Sequence, residues 1–128
     1  MKQLKVFSIV CALLLSVACG GGGGGGDTVP DIYQGLYWLR MINGVDYSAY
    51  GYTMSVTSSA IVEVYTDVCQ IQYDVTRVDG SKIYSKITAT NCSNTRVGDE
   101  GWGEFYLSGS TLTVNTDSGS SVVLTKIG

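Results

Sequence analysis

Short runs of alternating apolar and polar residues, separated by Gly, Ser, Asn and Asp, make up most of the chain after Pro30. Such runs are typical of short antiparallel strands, and no segment has the spacing of an amphipathic helix. The clearest run begins at Cys69, where Ile71, Tyr73 and Val75 alternate with polar residues. The pattern predicts about eight strands, at residues 36–42, 53–57, 60–66, 69–76, 82–89, 103–107, 111–115 and 121–127, with 45–51 as a loop or edge.

The connections between these runs are short, which favours strands that follow one another up and down. Closing such a meander removes the exposed edges of the sheet. The sequence therefore predicts an all-β fold, a small up-and-down antiparallel β-barrel of about eight short strands. A two-sheet β-sandwich is the alternative.

Two cysteines, Cys69 and Cys92, lie among the predicted strands. In a secreted domain of this size such a pair is typically a structural disulfide, and the absence of CxxC spacing argues against a metal or redox pair. Matching the apolar faces of the two strands around a turn at 79–81 places Ile71 opposite Ala89. Cys92 then lies on the wrong face, so the bridge requires a bulge, or a loss of strand geometry, near 90–91.

The first 26 residues have a different pattern. Lys2 and Lys5 precede an apolar run at 6–15 that is too short to span a membrane and fits the apolar region of a signal peptide. Small residues follow, with Ala18 directly before Cys19. This segment resembles the signal peptide of bacterial lipoproteins.

The resemblance implies cleavage before Cys19, a diacylglycerol on its sulfur and acylation of its amine. Two or more acyl chains suffice for stable membrane anchoring. Gly20 follows the cysteine, which by resemblance to Gram-negative lipoproteins favours the outer membrane, with the periplasmic and surface faces both open. The expected organisation is a signal peptide at 1–18, a lipidated cysteine and glycine-rich tether at 19–30, and an all-β domain at 31–128.

The tether contains seven consecutive glycines, Gly20 to Gly26. A glycine coil of this length has an end-to-end distance of about 15 Å. A phosphate-binding glycine loop is rejected, since such a loop needs a preceding strand and a following helix. The predicted domain therefore lies close to the lipid surface.

Three stretches of the domain resemble small lipocalin-like, or calycin, β-barrels. They are Gly35-Leu36-Tyr37-Trp38, the following Asn43-Gly44, and the stretch from Tyr106 to Val114. The resemblance implies a barrel that surrounds a ligand. A barrel of eight short strands can also be filled by its own side chains, so both an open and a filled interior are retained.

Charge and composition limit the function. After cleavage the chain keeps six of its eight basic residues and all eleven acidic ones, a net charge of −5. An acidic domain has no electrostatic reason to bind nucleic acid. The chain contains no histidine, which removes the commonest general base and metal ligand. We therefore expect no enzyme activity, no metal site and no cofactor.

Two groups of side chains are candidates for binding. Tyr47, Tyr50 and Tyr52 lie close together in sequence and Trp102 lies in a glycine-rich stretch; aromatic side chains of this kind suit ligands or protein partners. Structural packing is the alternative for the tyrosines, and a plug at the barrel end is the favoured role for Trp102. The acidic residues near Trp102, at 99, 100 and 104, are interpreted as a solvated loop rather than a calcium site.

The sequence therefore predicts a membrane-anchored envelope lipoprotein with a non-catalytic binding or interaction barrel. Its contacts would be the lipid on Cys19 and an unidentified small-molecule or protein partner. The alternative is a structural, assembly or enzyme-inhibitor component of the outer-membrane envelope with a filled barrel.

Overall fold

Nine β-strands and two short 3-10 helices make up residues 28–128, the part of the chain that this computed structural model describes. The helices are Asp31–Tyr33 and Ser48–Tyr50. The strands are β1 (Gly35–Ile42), β2 (Val45–Asp46), β3 (Thr53–Val56), β4 (Ala60–Tyr65), β5 (Cys69–Asp79), β6 (Lys82–Thr90), β7 (Glu100–Ser108), β8 (Thr111–Thr116) and β9 (Ser121–Lys126).

Eight of these strands close into a barrel. From β3 to β9 each strand pairs antiparallel with the next, β1 pairs with β3, and β9 returns to pair with β1, where Leu39 lies opposite Leu124. β2 pairs only with the end of β1 and lies outside the closed ring. The predicted up-and-down barrel is confirmed, and the β-sandwich alternative is wrong.

The predicted register between β5 and β6 holds in the middle of the pair, where Tyr73 lies opposite Ile87, and is wrong by one residue at both ends. Asp79 lies opposite Lys82, so the turn has two residues, and Ile71 lies opposite Thr90 instead of Ala89. The register shifts at Thr76 on β5 and at Thr88 on β6. Between these two shifts, odd-numbered residues of β5 lie opposite odd-numbered residues of β6. A bulge lies at Thr88, and β6 ends at Thr90, so the loss of strand geometry expected near 90–91 is confirmed.

The disulfide between Cys69 and Cys92 is confirmed, with a Cα–Cα distance of 5.0 Å. The chain leaves β6 at Thr90, and the backbone N–H of Asn91 still donates to the carbonyl oxygen of Gln70 at 3.2 Å. This contact keeps Cys92 beside the start of β5. The bridge thus ties the start of the 91–99 connection to the barrel wall.

Residues before β1 close one end of the barrel. Val29 is only 1% exposed, and its N–H donates to the carbonyl oxygen of Ser58 at 2.8 Å. Tyr33 packs edge-on against Phe105, with 5.5 Å between ring centroids. Val29 therefore packs as part of the barrel, although the tether was predicted to extend to residue 30. The predicted signal peptide, Cys19 and the glycine tether lie outside the described residues.

The up-and-down order defines two ends. The base end carries the segment 28–34 and the turns at 57–59, 80–81 and 109–110. The mouth end carries the connections at 43–52, 66–68, 91–99 and 117–120. Within residues 28–128 there is no helix long and apolar enough to cross a membrane.

Candidate ligand cavity

The barrel encloses a cavity of about 440 Å³. It reaches the surface at the mouth end, since exposed residues of the 91–99 and 117–120 connections border it. Its volume lies in the range typical of small-molecule sites. The barrel is therefore not filled by its own side chains, and its wall is mainly apolar: Met54, Ile61, Ile83, Ile87, Phe105 and Val114.

Small residues on two neighbouring strands leave this space open. Gly101 and Gly103 occupy inward positions of β7, and Ser85 lies on the cavity wall in β6. A Cβ atom at Gly103 would lie 2.8 Å from Cγ1 of Val114, which is closer than packed carbon atoms approach. Glycine at this position therefore lets β7 and β8 approach closely while adding nothing to the interior.

Glu63 is a carboxyl group that lines the cavity inside the barrel. It lies on β4 between Met54 of β3 and Ile71 of β5 in the sheet, on the face that points inward. The hydroxyl groups of Tyr65 and Tyr73 donate to its Oε1 atom at 2.9 and 3.2 Å. No side chain from residues 28–128 donates a hydrogen bond to Oε2, so this oxygen remains for a donor inside the barrel.

Burial governs the protonation of this group. Removal from water raises the pKa of Glu63, and the two phenol hydrogen bonds offset only part of that effect. Burial also raises the pKa values of Tyr65 and Tyr73, and the nearby Glu63 carboxyl adds to the rise. Both phenols therefore stay protonated and continue to donate to Oε1.

Further carboxylates surround the mouth. Asp99 and Asp117 border the cavity and are exposed. The Asp117 carboxylate lies over the inward face of Gly101, where a Cβ atom would be 2.9 Å from Oδ2. Of the described residues that line the cavity, none is Lys or Arg. The entrance is consequently acidic, and within residues 28–128 no three Asp, Glu or Cys residues are grouped closely enough to hold a metal ion.

The three predicted tyrosines are brought together at the mouth end. Tyr50 stacks on Tyr52 with 5.3 Å between ring centroids, and Tyr47 lies 5.8 Å from Tyr50. Tyr47 and Tyr52 pack against the core, whereas Tyr50 is 58% exposed. Tyr52 also meets Tyr65 edge-on at 5.2 Å, so the group extends towards Glu63. Contact with a ligand or partner through these residues stays a prediction.

Trp102 does not plug the barrel end. It alternates with the inward-facing Gly101 and Gly103 on β7, so its side chain is directed to the outer face. There the Nζ atom of Lys82 lies 4.3 Å from the ring centroid. Trp102 borders the cavity only at its edge, and its candidate role becomes that of an outer-surface contact.

Sequence reasoning missed Glu63 as a site residue. It lies in a run where both faces are apolar, with Val62 and Val64 on one face and Ile61 on the other. Alternation alone does not say which face of such a strand is inside. The signal available in the sequence was the position of Glu63 along β4. Glu63 lies two residues from Ile61 and two from Tyr65, so the carboxylate shares a strand face with both of these residues.

Comparisons with known proteins assign no family. No protein-family model matches the chain, and neither the curated proteins nor the solved structures gave a significant match. The class that fold and site define is a small closed antiparallel β-barrel with an internal cavity open at one end.

Proposed function

We propose that this protein is an envelope lipoprotein whose barrel binds a small molecule without transforming it. The observation that carries the proposal is the cavity of about 440 Å³, with apolar walls and the carboxyl of Glu63 in its lining. Small-molecule sites typically combine mainly apolar walls with a few polar groups that orient the ligand.

The position of the N-terminus supports an anchored receptor. Val29 enters the barrel at the base end, and Asp99 and Asp117 lie at the opposite end. A lipid on Cys19 would therefore attach the domain by its base. The mouth would then be directed away from the membrane, where it is free to exchange ligand.

A binding role fits the site better than a catalytic one. Acid–base catalysis by carboxyl groups normally uses two of them in contrasting environments around one reacting bond. Of the described carboxylates that line the cavity, Glu63 points into the barrel, whereas Asp99, Glu100 and Asp117 are exposed at the entrance. Its Oε1 atom is already held by two phenols, an arrangement that suits holding a ligand.

A second candidate is contact with a protein partner, as in assembly or enzyme inhibition. The outer face carries two stacked pairs, with Arg77 4.1 Å from the ring centroid of Tyr84 and Lys82 4.3 Å from that of Trp102. Tyr84 and Trp102 are opposite each other on β6 and β7. Aromatic and cationic side chains grouped in this way are common at protein interfaces.

Native mass spectrometry of the chain released from bacterial envelopes tests the first candidate. We expect an additional mass that is lost on denaturation, and its identity would give the ligand. Ser85→Leu, which places a large side chain in the cavity, should abolish the additional mass. A ligand-free mass for both proteins would contradict small-molecule binding and favour the partner-binding alternative.

A further inference from the structure

We infer that the cavity binds an organic cation, with an ammonium group placed on Glu63 and an apolar body against the barrel wall. The inference rests on the proposed function, since it names the class of ligand for the same cavity. It derives from the hydrogen bonding of Glu63, the charges around the entrance and the nature of the wall.

The carboxyl of Glu63 is oriented but incompletely satisfied. Tyr65 holds Oε1 from the same strand and Tyr73 holds it from the neighbouring strand, at 2.9 and 3.2 Å. These two bonds fix the plane of the carboxyl group and leave Oε2 without a donor from residues 28–128. An ammonium group carries three donors and a positive charge, so it satisfies Oε2 and also offsets the cost of a buried carboxylate.

The protein supplies no cation of its own at this place. Among residues 28–128, no Lys or Arg lines the cavity and none forms an ion pair with Glu63. A buried carboxylate is usually paired or bound to a metal. A ligand would therefore supply the positive charge that pairs with the Glu63 carboxylate.

The charge at the cavity entrance also favours a cationic ligand. Asp99 and Asp117 border the mouth, so a cation is attracted on approach and an anion is repelled. An anionic ligand would meet these two carboxylates and then Glu63. A fatty acid or another carboxylate is therefore disfavoured at every stage of entry.

The cavity wall determines the chemistry of the part of the ligand that does not contact Glu63. The cavity that Glu63 borders is lined mainly by apolar side chains such as Ile83, Ile87, Phe105 and Val114, and its few hydroxyl groups, apart from the phenol that holds Glu63, belong to serine and threonine residues such as Ser85. A ligand must therefore have a compact apolar body next to its charge. An aromatic or branched aliphatic amine has this form, whereas a polyamine or a sugar does not.

Three probes of similar shape and different charge test the inference: 2-phenylethylamine, 2-phenylethanol and phenylacetate. Isothermal titration calorimetry of the untruncated chain, with a detergent blank, should show the amine binding about tenfold or more tightly than the alcohol, as a charged hydrogen bond would produce. Phenylacetate should bind most weakly. Glu63→Gln should remove the advantage of the amine and leave the affinity for the alcohol unchanged.

Two further variants keep the result interpretable. Asp79→Asn removes one negative charge at the base end and should change no affinity, because Asp79 lies in the β5–β6 hairpin away from the mouth. Asp117→Asn, at an exposed position, should slow association of the amine alone, even if Glu63→Gln fails to fold. The circular dichroism spectrum of each variant shows whether it is folded.

The outcomes separate the two proposals. Equal affinities for amine and alcohol, or an unchanged amine affinity in folded Glu63→Gln, would overturn the cation inference. If Ser85→Leu still abolished binding of the alcohol in that case, the cavity would stand as a binding site. Failure of all three probes to bind would overturn both proposals for ligands of this size.

Discussion

The hydroxyl group of Tyr65 donates a 2.9 Å hydrogen bond to Oε1 of Glu63, two residues earlier on the same inward face of β4. Tyr73 reaches the same oxygen from β5 at 3.2 Å. A carboxyl group inside a barrel of this size is costly when ionised, and two neutral donors compensate only in part. The ionised carboxyl group of Glu63 therefore lowers the stability of the folded protein.

Glu63→Gln should reveal that cost as a change in pH dependence. The folded pKa of Glu63 is raised above its ordinary value of 4.5, so the folded protein binds this proton more tightly than the unfolded chain. The contribution of Glu63 to the free energy of unfolding therefore falls as pH rises from 4.5 through the folded pKa. Gln keeps an oxygen for the two phenols and removes the titration.

We expect urea denaturation at a series of pH values to show Glu63→Gln more stable than the unchanged protein above that window. The two proteins should converge towards acid pH. Asp79→Asn is the matched control, since Asp79 is exposed and its loss should leave the pH dependence unchanged. Parallel curves for Glu63→Gln and the unchanged protein would contradict the raised pKa.

Ser85→Leu should stabilise the empty barrel while preventing ligand from binding. Its side chain would extend from β6 into the cavity and bury apolar surface there. Filling a cavity commonly adds about 1 kcal/mol to the free energy of unfolding. Ser55→Leu is the control, because Ser55 alternates with the inward-facing Met54 and Val56 and so lies on the outer face.

Calorimetry with the amine probe and urea denaturation measure both effects. Loss of binding in Ser85→Leu but not in Ser55→Leu would place the ligand inside the barrel. Retained binding in a folded Ser85→Leu protein would place it elsewhere.

Alternation of apolar and polar residues predicted the strands, because each strand needs one inward face to form the core. The short connections between them predicted the closed up-and-down order. Alternation predicted the register in the middle of the β5–β6 pair but not at the two ends, where single extra residues at Thr76 and Thr88 shift the register. A bulge leaves no clear mark in a run of Thr, Ser and Lys. The disulfide was predicted because its basis, two cysteines in one small domain, does not depend on register.

The functional site was less accessible to sequence reasoning. Glu63 lies in a strand whose two faces are both apolar, so its orientation depends on how the closed barrel places β4. Trp102 was expected to plug the barrel end, but glycines occupy the inward positions on either side of it, so its side chain is directed outward. Tyr47, Tyr50 and Tyr52 were noted as neighbours in sequence, and they pack together because they lie within one short connection. Their contact with a ligand or partner stays a prediction.

Val29→Ala should destabilise the protein by about 2 kcal/mol, from the methyl groups lost and the cavity they leave. Val29 is 1% exposed, although it was predicted to belong to the tether. Ile32→Ala is the control: Ile32 is 60% exposed, so its loss should have little effect. Urea denaturation measures both, and equal small effects would mean that the base end is not closed by this segment.

Removal of the disulfide should cost about 3 kcal/mol in the chain-entropy model. Cys69 and Cys92 are 23 positions apart, so the bridge restricts a loop of moderate length in the unfolded chain. We expect the double variant Cys69→Ala/Cys92→Ala and the reduced protein to lose similar stability in urea. Alkylation of the unreduced protein at these two residues would show that the bridge does not form.

Tyr50→Ala and Trp102→Ala distinguish a cavity ligand from an outer-surface partner. Tyr50 is exposed at the mouth end and Trp102 lies on the outer face, and neither takes part in the hydrogen bonds to Glu63. If the barrel functions through its cavity, both variants should bind the amine probe with unchanged affinity, while Glu63→Gln does not. If a protein partner is the true ligand, truncation of an aromatic contact should weaken its binding by about tenfold or more. Unchanged amine binding in both variants, together with its loss in Glu63→Gln, would place the function inside the barrel.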